Sequence, residues 1–257
     1  MKKELTEIAS SVREAVASIS GSPKAGEVVG KGVDGAPSYN ADAVAEQAAK
    51  RKIDELGLGL NILSEESPYV DNKSGQTIVL DPLDGSHNLI RGIPFYSVSI
   101  AIGSRSLSGV QYGLVMNLVT GDTFYAEKGK GAFRNDELIH VKKFSEKDSL
   151  FFVYMGANAS NNAYDISRKS GMVRSLGSAA LEMCQVAMGK ADLFYLRSVD
   201  NAHALRIVDI AASTLILREA GGEVFDMTGN LLDMNFDIND RKSLIAVGDK
   251  SLRRLAL

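Results

Sequence analysis

The sequence predicts a mixed α and β protein, α+β in its first half and α/β in its second. Apolar residues recur at helical spacing in two N-terminal stretches, and several later stretches alternate apolar and polar residues at period two. In the second half, short apolar strands alternate with helices, which is typical of an α/β layer. An apolar content of 45% and a charged content of 24% are ordinary for a globular protein.

In the first half, two helices are expected to pack on a mainly antiparallel sheet. Helical spacing predicts helices over residues 5–19 and 41–56, and Gly21 and Pro23 stop the first of them. The glycines of residues 26–35 indicate a loop or a short irregular hairpin. Short apolar or alternating runs predict strands over residues 60–66, 78–80, 96–102, 110–115, 122–127, 131–134 and 138–141.

The second half begins after a polar stretch at residues 145–148, which is a candidate joint. We therefore divide the chain at residues 1–145 and 146–257, two halves that form one continuous catalytic unit. Gly221 and Gly222 terminate a long and nearly all-apolar helix. The predicted elements of this half are strands over residues 150–154, 192–196 and 244–247 and helices over residues 180–188 and 203–220.

Composition also limits the class of protein. A net charge of −3 gives no reason to expect a nucleic-acid or acidic membrane partner. The single cysteine, Cys184, has no partner for an internal disulfide and lies in an apolar helical run. No apolar run reaches the length of a membrane span, and no signal-peptide pattern is seen at the N-terminus. We expect a soluble cytoplasmic protein.

The most informative stretch follows the apolar run of residues 78–80 and reads Asp81-Pro82-Leu83-Asp84-Gly85-Ser86. Pro82 is expected to end the strand, Gly85 to allow a tight turn, and Ser86 to cap one or two helical turns over residues 87–91. Two carboxylates with a carbonyl between them suit Mg²⁺, and free amides at a helix start suit a phosphate. The alternative is a plain Asp-Gly turn between two strands.

Further acids lie at strand and helix ends. Asp42 falls in the first turn of the second helix, either as a functional acid or as a surface acid that matches the helix dipole. Glu65 follows a short strand. Asp209 stands in an apolar helix, where it needs a cation or several donors, and Arg206 is the alternative local partner. With no His or Cys pattern, the oxygens of Glu65, Asp81, Leu83 (carbonyl), Asp84 and Asp209 favour two or more Mg²⁺ ions over zinc.

These motifs resemble those of the inositol monophosphatase family, in the same order and over essentially the whole chain. The matching blocks are Glu65-Glu66-Ser67, Asp81-Pro82-Leu83-Asp84-Gly85-Ser86-His87-Asn88, Gly129-Lys130-Gly131-Ala132-Phe133, Gly177-Ser178-Ala179-Ala180 and Val208-Asp209-Ile210-Ala211-Ala212. The resemblance implies a layered α-β-α-β-α sandwich and usually a homodimer. It also implies Mg²⁺ dependence, with two or three ions per site and Mn²⁺ as a possible substitute, and frequent inhibition by lithium.

By motif position, the resemblance assigns a role to each site residue. Glu65, Asp81, the Leu83 carbonyl, Asp84 and Asp209 would hold the metal ions. Asp42 and the Ser86 hydroxyl would orient the attacking water, and with Glu65 they form our catalytic set. The Gly85 and Ser86 amides would hold the phosphate, and Asp84 would also contact substrate.

Two departures from the family pattern bear on substrate. Val208 stands where the family usually has tryptophan, and Ala202 stands where animal-type members have the glutamate that contacts inositol. Arg174 and Arg197 flank the site segments instead, which is similar to the archaeal branch that hydrolyses fructose 1,6-bisphosphate and inositol 1-phosphate. There the arginines and a backbone contact near Ala179 would grip the sugar and its second phosphate.

The predicted function is therefore a Mg²⁺-dependent phosphatase for small sugar or polyol phosphates, namely fructose 1,6-bisphosphate and inositol 1-phosphate. Two alternatives stay open. One is a related phosphatase for 3′-phosphoadenosine phosphate or histidinol phosphate. The other is a non-catalytic protein on the same fold that binds phosphoinositides or metal. For Arg174 and for Arg197 the alternative is that each is a solvated surface charge.

Overall fold

The computed structural model describes residues 1–33 and 35–256, which form six helices and sixteen strands. The helices are α1 (Lys2–Ile19), α2 (Asn40–Glu55), α3 (Ser86–Ile90), α4 (Asn161–Ser167), α5 (Ala179–Ala187) and α6 (Ile207–Glu219). The strands of the first half are β1 (Val28–Lys31), β2 (Pro37–Tyr39), β3 (Asn61–Ser64), β4 (Thr77–Asp84), β5 (Ser97–Gly103), β6 (Val110–Asn117), β7 (Thr123–Glu127), β8 (Ala132–Arg134) and β9 (Glu137–Ile139). Those of the second half are β10 (Leu150–Val153), β11 (Met172–Arg174), β12 (Leu193–Leu196), β13 (Leu205–Arg206), β14 (Glu223–Asp226), β15 (Arg241–Lys242) and β16 (Leu244–Val247).

A seven-stranded sheet in the order β3-β4-β5-β6-β7-β8-β9 dominates the first half. Only the β3–β4 pair is parallel, so the expectation of a mainly antiparallel sheet is confirmed. Ile78 and Leu80 of β4 face a core built with α1 and α2, whereas Val79 between them faces the core that contains α5 and α6. The period-two alternation thus gives the sheet two buried faces, each covered by helices.

A second sheet, in the order β11-β10-β12-β16-β14, lies on the other side of α5 and α6. Phe152 of β10 faces those helices, and its neighbours Phe151 and Val153 face a third core that includes α4 and the 3₁₀ helix Lys250–Ala256. The layers therefore run helix, sheet, helix, sheet, helix. The predicted α-β-α-β-α sandwich is confirmed.

Several predicted boundaries differ from the observed ones. The long helix predicted over residues 203–220 begins only at Ile207, because Leu205 and Arg206 pair with β15 as strand β13. Strand β4 does not stop at Pro82, as predicted, but runs to Asp84 with a register shift against β5 between Asp81 and Asp84. Ser86 is the first residue of α3 and not its cap, since the cap position is taken by Gly85 at a φ of 90°.

Other regions confirm or extend the prediction. The glycine-rich stretch before α2 contains the antiparallel pair β1–β2, so the hairpin alternative is the observed one. The elements α4, β11 and β14 were not predicted. Residues 146–148 form a short 3₁₀ helix, and the division of the chain into two halves there stays a prediction.

Among the described residues, no helix combines the length and the apolar character that a membrane crossing requires.

Candidate active site

A cavity of about 280 Å³ opens where the ends of β3 and β4 meet the starts of α2, α3 and α6. It contains every residue that the sequence assigned to metal binding or water activation. Its walls are formed by Gly32, Ala36, Pro37 and Tyr39 of the β1–β2 region, Asp42, Glu65, Glu66, Asp81, Leu83, Asp84, Gly85, Ser86, His87, Leu205, Arg206 and Asp209.

Three carboxylates form the centre of this cavity. Glu65, Asp81 and Asp209 each offer an oxygen, and these oxygens all lie within 4.8 Å of one another. The fold brings two of them together: Ser64 of β3 is paired in parallel with Leu80 of β4, so the next residues, Glu65 just after β3 and Asp81 within β4, lie side by side. Asp209 lies in the first turn of α6, whose start points at the same edge.

The carboxylates are expensive to hold as anions without a cation. Burial raises the pKa of Glu65 to about 8, although the Arg206 guanidinium opposes the shift. Burial and the neighbouring charges of Glu65 and Asp84 hold the pKa of Asp81 well above its ordinary value. A set of buried acids with hard oxygen donors and no nitrogen or sulfur ligand fits a small divalent cation such as Mg²⁺.

Arg206 supplies a positive charge inside the same cavity. Its Nη2 donates to Glu65 Oε1 and lies 3.4 Å from Asp209 Oδ1, and its backbone N–H donates to Asp209 Oδ2 at 2.7 Å. Although burial lowers it, the carboxylates of Asp209 and Glu65 raise the pKa of Arg206 above its ordinary value. The alternative partner for Asp209 is therefore present, and it reaches Glu65 as well.

Asp84 points toward the second half of the chain. Its Oδ2 accepts hydrogen bonds from the Ser178 hydroxyl at 2.6 Å and from the Ala180 N–H at 2.9 Å, while Oδ1 accepts from the Ala179 N–H at 3.3 Å. Burial raises the pKa of Asp84 to about 6 against these stabilising bonds. Asp84 thus lines the cavity and at the same time caps the N-terminus of α5.

Asp42 and Ser86 are brought together, as the motif positions predicted. The Ser86 hydroxyl lies close enough to the Asp42 carboxylate to lower its pKa, and Asp42 Oδ2 accepts a hydrogen bond from the Tyr39 N–H at 3.1 Å. Burial raises the pKa of Asp42 to about 6. Asp42 is therefore a buried acid with a hydroxyl partner, and not a surface acid that only matches the helix dipole.

The turn between Asp84 and Ser86 requires glycine. Gly85 has a φ of 90°, and a Cβ there would lie 3.0 Å from the Gly177 carbonyl oxygen and 3.2 Å from that of Phe95. This turn starts α3 inside the cavity, so the Ser86 N–H belongs to the first helical turn, where amides have no acceptor within the helix.

Further polar residues support the site and were not predicted. Glu46, one helical turn after Asp42 on α2, is 6% exposed and accepts hydrogen bonds from the hydroxyls of Ser64, at 2.5 Å, and Ser67. It ties α2 to the segment that carries Glu65. Its spacing of four residues from Asp42 on an otherwise apolar helix face was the available sequence signal.

The residues predicted to select substrate lie away from the cavity wall described above. Arg174 is exposed at the end of β11, where its Nη1 donates to the Val173 carbonyl at 2.7 Å. Arg197 follows β12 and lies near the Tyr195 hydroxyl, where it opposes the rise that burial causes in the pKa of that tyrosine. Ala179 begins α5 and reaches the cavity only through its N–H to Asp84. The substrate roles of these three residues stay predictions.

The comparison with protein-family models finds the Inositol monophosphatase family over residues 1–256. A fructose-1,6-bisphosphatase/inositol-1-monophosphatase of Methanothermobacter thermautotrophicus is 38% identical, over 95% of this chain and 91% of that protein. A fructose-1,6-bisphosphatase of Pyrococcus furiosus is 35% identical, over 92% and 89%. A bifunctional NADP phosphatase/NAD kinase of Methanococcus maripaludis is 34% identical, over 96% of this chain but 47% of that protein.

Solved structures give the same result for the fold. A crystal structure described as inositol monophosphatase-fructose 1,6 bisphosphatase superposes with a TM-score of 0.89 at 30% identity, over 99% of this chain and 97% of that one. A Pyrococcus horikoshii protein described as hypothetical, with similarities to inositol-1 monophosphatase, superposes with a TM-score of 0.85 at 32% identity, over 99% and 96%.

Proposed function

The chain belongs to the inositol monophosphatase family and is a phosphoric monoester hydrolase, and we propose that it acts on fructose 1,6-bisphosphate and inositol 1-phosphate with Mg²⁺ as its cofactor. The observation that carries the proposal is the placement of Asp42 and Ser86 in the same cavity as the clustered Glu65, Asp81 and Asp209 carboxylates. It combines a base and a hydroxyl with a set of hard oxygen ligands.

The acids of the cavity fit two or three divalent cations. Glu65, Asp81 and Asp209 would hold one, and Asp84 with the Leu83 carbonyl would complete the set, with Mn²⁺ as a possible substitute for Mg²⁺. When bound, such ions neutralise charge on phosphoryl oxygens and make water acidic enough to attack near neutral pH. The metal identity and number are part of the proposal.

The protein's own groups handle the proton of the attacking water. A Ser86 hydroxyl that gives its hydrogen to Asp42 would keep the lone pairs of its Oγ to accept a hydrogen bond from water. With a pKa of about 6, Asp42 is mostly ionised at neutral pH and can take the proton through Ser86. The Gly85 and Ser86 amides at the start of α3 would hold the phosphate, since first-turn amides have no helical acceptor.

A panel of phosphate esters tests this function. We expect phosphate release from fructose 1,6-bisphosphate and inositol 1-phosphate in Mg²⁺ or Mn²⁺ and none after chelation. The panel also contains 3′-phosphoadenosine phosphate, histidinol phosphate and, because of the M. maripaludis relative, NADP. Asp42→Asn is the inactive control, and Asp54→Asn, an exposed position on the same helix, is the matched active control.

Each outcome of the panel has a distinct meaning. Faster release from one of the other three esters would reject the proposed substrates but keep the phosphatase. No release from any ester, with binding of metal or phosphoinositides retained, would favour the non-catalytic alternative. The homodimer is likewise a proposal, and light scattering tests it by comparing the mass in solution with the 27.5 kDa of one chain.

A further inference from the structure

Arg206 occupies one side of the acid cluster. It lies at the cap position of α6 and is 9% exposed. Its guanidinium contacts Glu65, 141 residues away, and also lies 3.4 Å from Asp209. Two of the three clustered carboxylates are therefore already paired with a cation of the chain itself.

Such a pairing opposes a divalent ion at the same oxygens. A guanidinium is always charged and is held here by its own helix, so it cannot diffuse away as a bound ion can. The lone pair of Glu65 Oε1 that accepts the Arg206 N–H is not available to a metal. A divalent cation beside the guanidinium also meets a like charge across a short distance in a poorly screened cavity.

We propose that Arg206 is a built-in cation that competes with a divalent ion for Glu65 and Asp209. It holds these carboxylates together when no metal is bound, and it weakens metal binding at that side of the cluster. The inference rests on the proposed function, because it takes the cluster of Glu65, Asp81 and Asp209 as the metal site.

A purely structural ion pair predicts the opposite effect on metal affinity. If Arg206 only positions Glu65 and Asp209, its removal loosens two ligands and metal binds less tightly. If Arg206 competes, its removal frees the same two ligands and metal binds more tightly. The sign of the change in affinity therefore separates the two roles, whatever happens to stability.

Manganese titrations of four proteins test the proposal, with the bound ion followed by electron paramagnetic resonance. Arg206→Met removes the charge at similar length, and Arg206→Lys keeps it. Arg218→Met is the matched control, since Arg218 lies on the same helix and pairs with Glu223 at 2.6 Å, outside the cavity wall described above. We expect Arg206→Met to bind Mn²⁺ at least about tenfold more tightly than the parent, or about 1.4 kcal/mol.

The remaining readouts follow from the same competition. Arg206→Lys and Arg218→Met should stay within about threefold of the parent Kd. Metal-free Arg206→Met should melt at a lower temperature than the parent, and added Mn²⁺ should raise its Tm by more. An unchanged or weaker affinity in Arg206→Met would overturn the inference. A parent protein that binds no Mn²⁺ would instead contradict the proposed function, so the two failures are distinguishable.

A second measurement on the parent keeps the test valid if Arg206→Met does not fold. The arginine side chains are labelled with ¹⁵N, and the Arg206 signal is assigned by its loss in Arg206→Lys. Titration with Mg²⁺ should shift that signal saturably toward the position of a solvent-exposed arginine and speed its hydrogen exchange, because competition releases the contact with Glu65, and should leave the Arg218 signal in place. An Arg206 signal that does not respond at saturating Mg²⁺ would overturn the inference.

Discussion

The Ser86 hydroxyl and the Asp42 carboxylate share one wall of the cavity at the start of α3, close enough for the hydroxyl to lower the pKa of the acid, although the two residues come from different helices. Each is placed by its own turn: Tyr39 donates its N–H to Asp42, and Gly85 starts the helix that carries Ser86. Both residues are needed to remove a proton from the attacking water. The Ser86 hydroxyl passes the proton on, and the Asp42 carboxylate accepts it.

Replacing Ser86 with alanine is expected to lower kcat by at least about tenfold and to change KM little. The hydroxyl acts on water, whereas the phosphate is held by a backbone amide that alanine retains. Steady-state kinetics on inositol 1-phosphate measure both constants. The double variant with Asp42→Asn should lose no more than the worse single variant, because the two groups act together. A raised KM with unchanged kcat would contradict the assigned role.

The same pair predicts how activity depends on pH. Burial raises the pKa of Asp42 from 3.8 to about 6, and the active form is the carboxylate. The value of kcat/KM should therefore reach its plateau well above pH 6, stand at about half of the plateau near pH 6, and fall toward tenfold per unit below it. A pH–rate profile at saturating Mg²⁺ measures this decrease of kcat/KM at acidic pH. A profile that stays flat down to about pH 5 would show that Asp42 does not carry the limiting proton.

The sequence predicted residues of the acid cluster because they follow a strand, lie in one or start a helix, so the local sequence pattern and the cluster coincide there. The apolar runs that precede Glu65 and Asp81 were enough to mark these two acids as candidates. For Asp209, its apolar neighbours on both sides were enough. The contacts made by Arg206 and Asp84 were not predictable in the same way. Arg206 reaches Glu65 over 141 residues and Asp84 reaches Ser178 over 94, and no local period encodes such distances.

The helices and strands likewise divide into those with a clear local sequence pattern, which were predicted well, and those without one. The helices α1 and α2 have long apolar stripes and were found close to their true bounds. Helix α4 has seven residues, and only Ala163 and Ile166 of it are buried, so its apolar period is too short to detect. The start of α6 was placed too early because Leu205 is apolar, although it belongs to a two-residue strand paired with β15.

Asp84→Asn is expected to abolish turnover while the fold is kept. The amide removes the charge that a cation needs, and activity should fall by more than about a hundredfold at saturating Mg²⁺. If the amide NH₂ group takes the place of Oδ2, it cannot accept hydrogen bonds from the Ser178 hydroxyl and the Ala180 N–H, because it is itself a donor. The free energy of unfolding should therefore drop by about 1–3 kcal/mol. Phosphate release and urea unfolding measure the two effects.

Ser178→Ala is the control for the capping contact alone. It removes the 2.6 Å hydrogen bond to Asp84 and leaves the charge of the carboxylate in place. Its activity should stay far above that of Asp84→Asn. Activity of Asp84→Asn within about tenfold of the parent, which is only about 1.4 kcal/mol, would show that Asp84 holds no metal.

Glu182 is expected to make stability depend on pH. It is 4% exposed on α5, and burial raises its pKa from 4.5 to about 8, although the Leu176 N–H donates to it. Because the folded pKa is the higher one, its stabilising contribution is full below pH 4.5 and is lost as the pH rises through about 8. The neutral variant Glu182→Gln has no such loss.

Urea unfolding of the metal-free protein between about pH 5 and pH 8 measures the effect. The parent should lose up to about 1.4 kcal/mol per pH unit relative to Glu182→Gln. Glu14→Gln, at an exposed position on α1, should follow the parent. Parallel curves for the parent and Glu182→Gln would mean that Glu182 is not buried as an acid.

Arg174 and Arg197 are expected to decide the choice of substrate. In the structure Arg174 donates to the Val173 carbonyl, Arg197 lies near the Tyr195 hydroxyl, and neither belongs to the cavity wall described above. A bisphosphate brings a second dianion that ions at the acid cluster do not neutralise, and the planar fork of arginine pairs with phosphate oxygens at two points. Inositol 1-phosphate has no second phosphate.

Arg174→Ala or Arg197→Ala should therefore cost fructose 1,6-bisphosphate about 1.5–3 kcal/mol in kcat/KM, the range for hydrogen bonds to charged groups. The loss for inositol 1-phosphate should be clearly smaller, since only the shared phosphate and the ring are bound. Arg168→Ala, just after α4, is the matched control and should affect neither substrate. Equal losses on both substrates would show that the arginines support the fold or the common phosphate, because a group that reads the second phosphate cannot act on a substrate that lacks it.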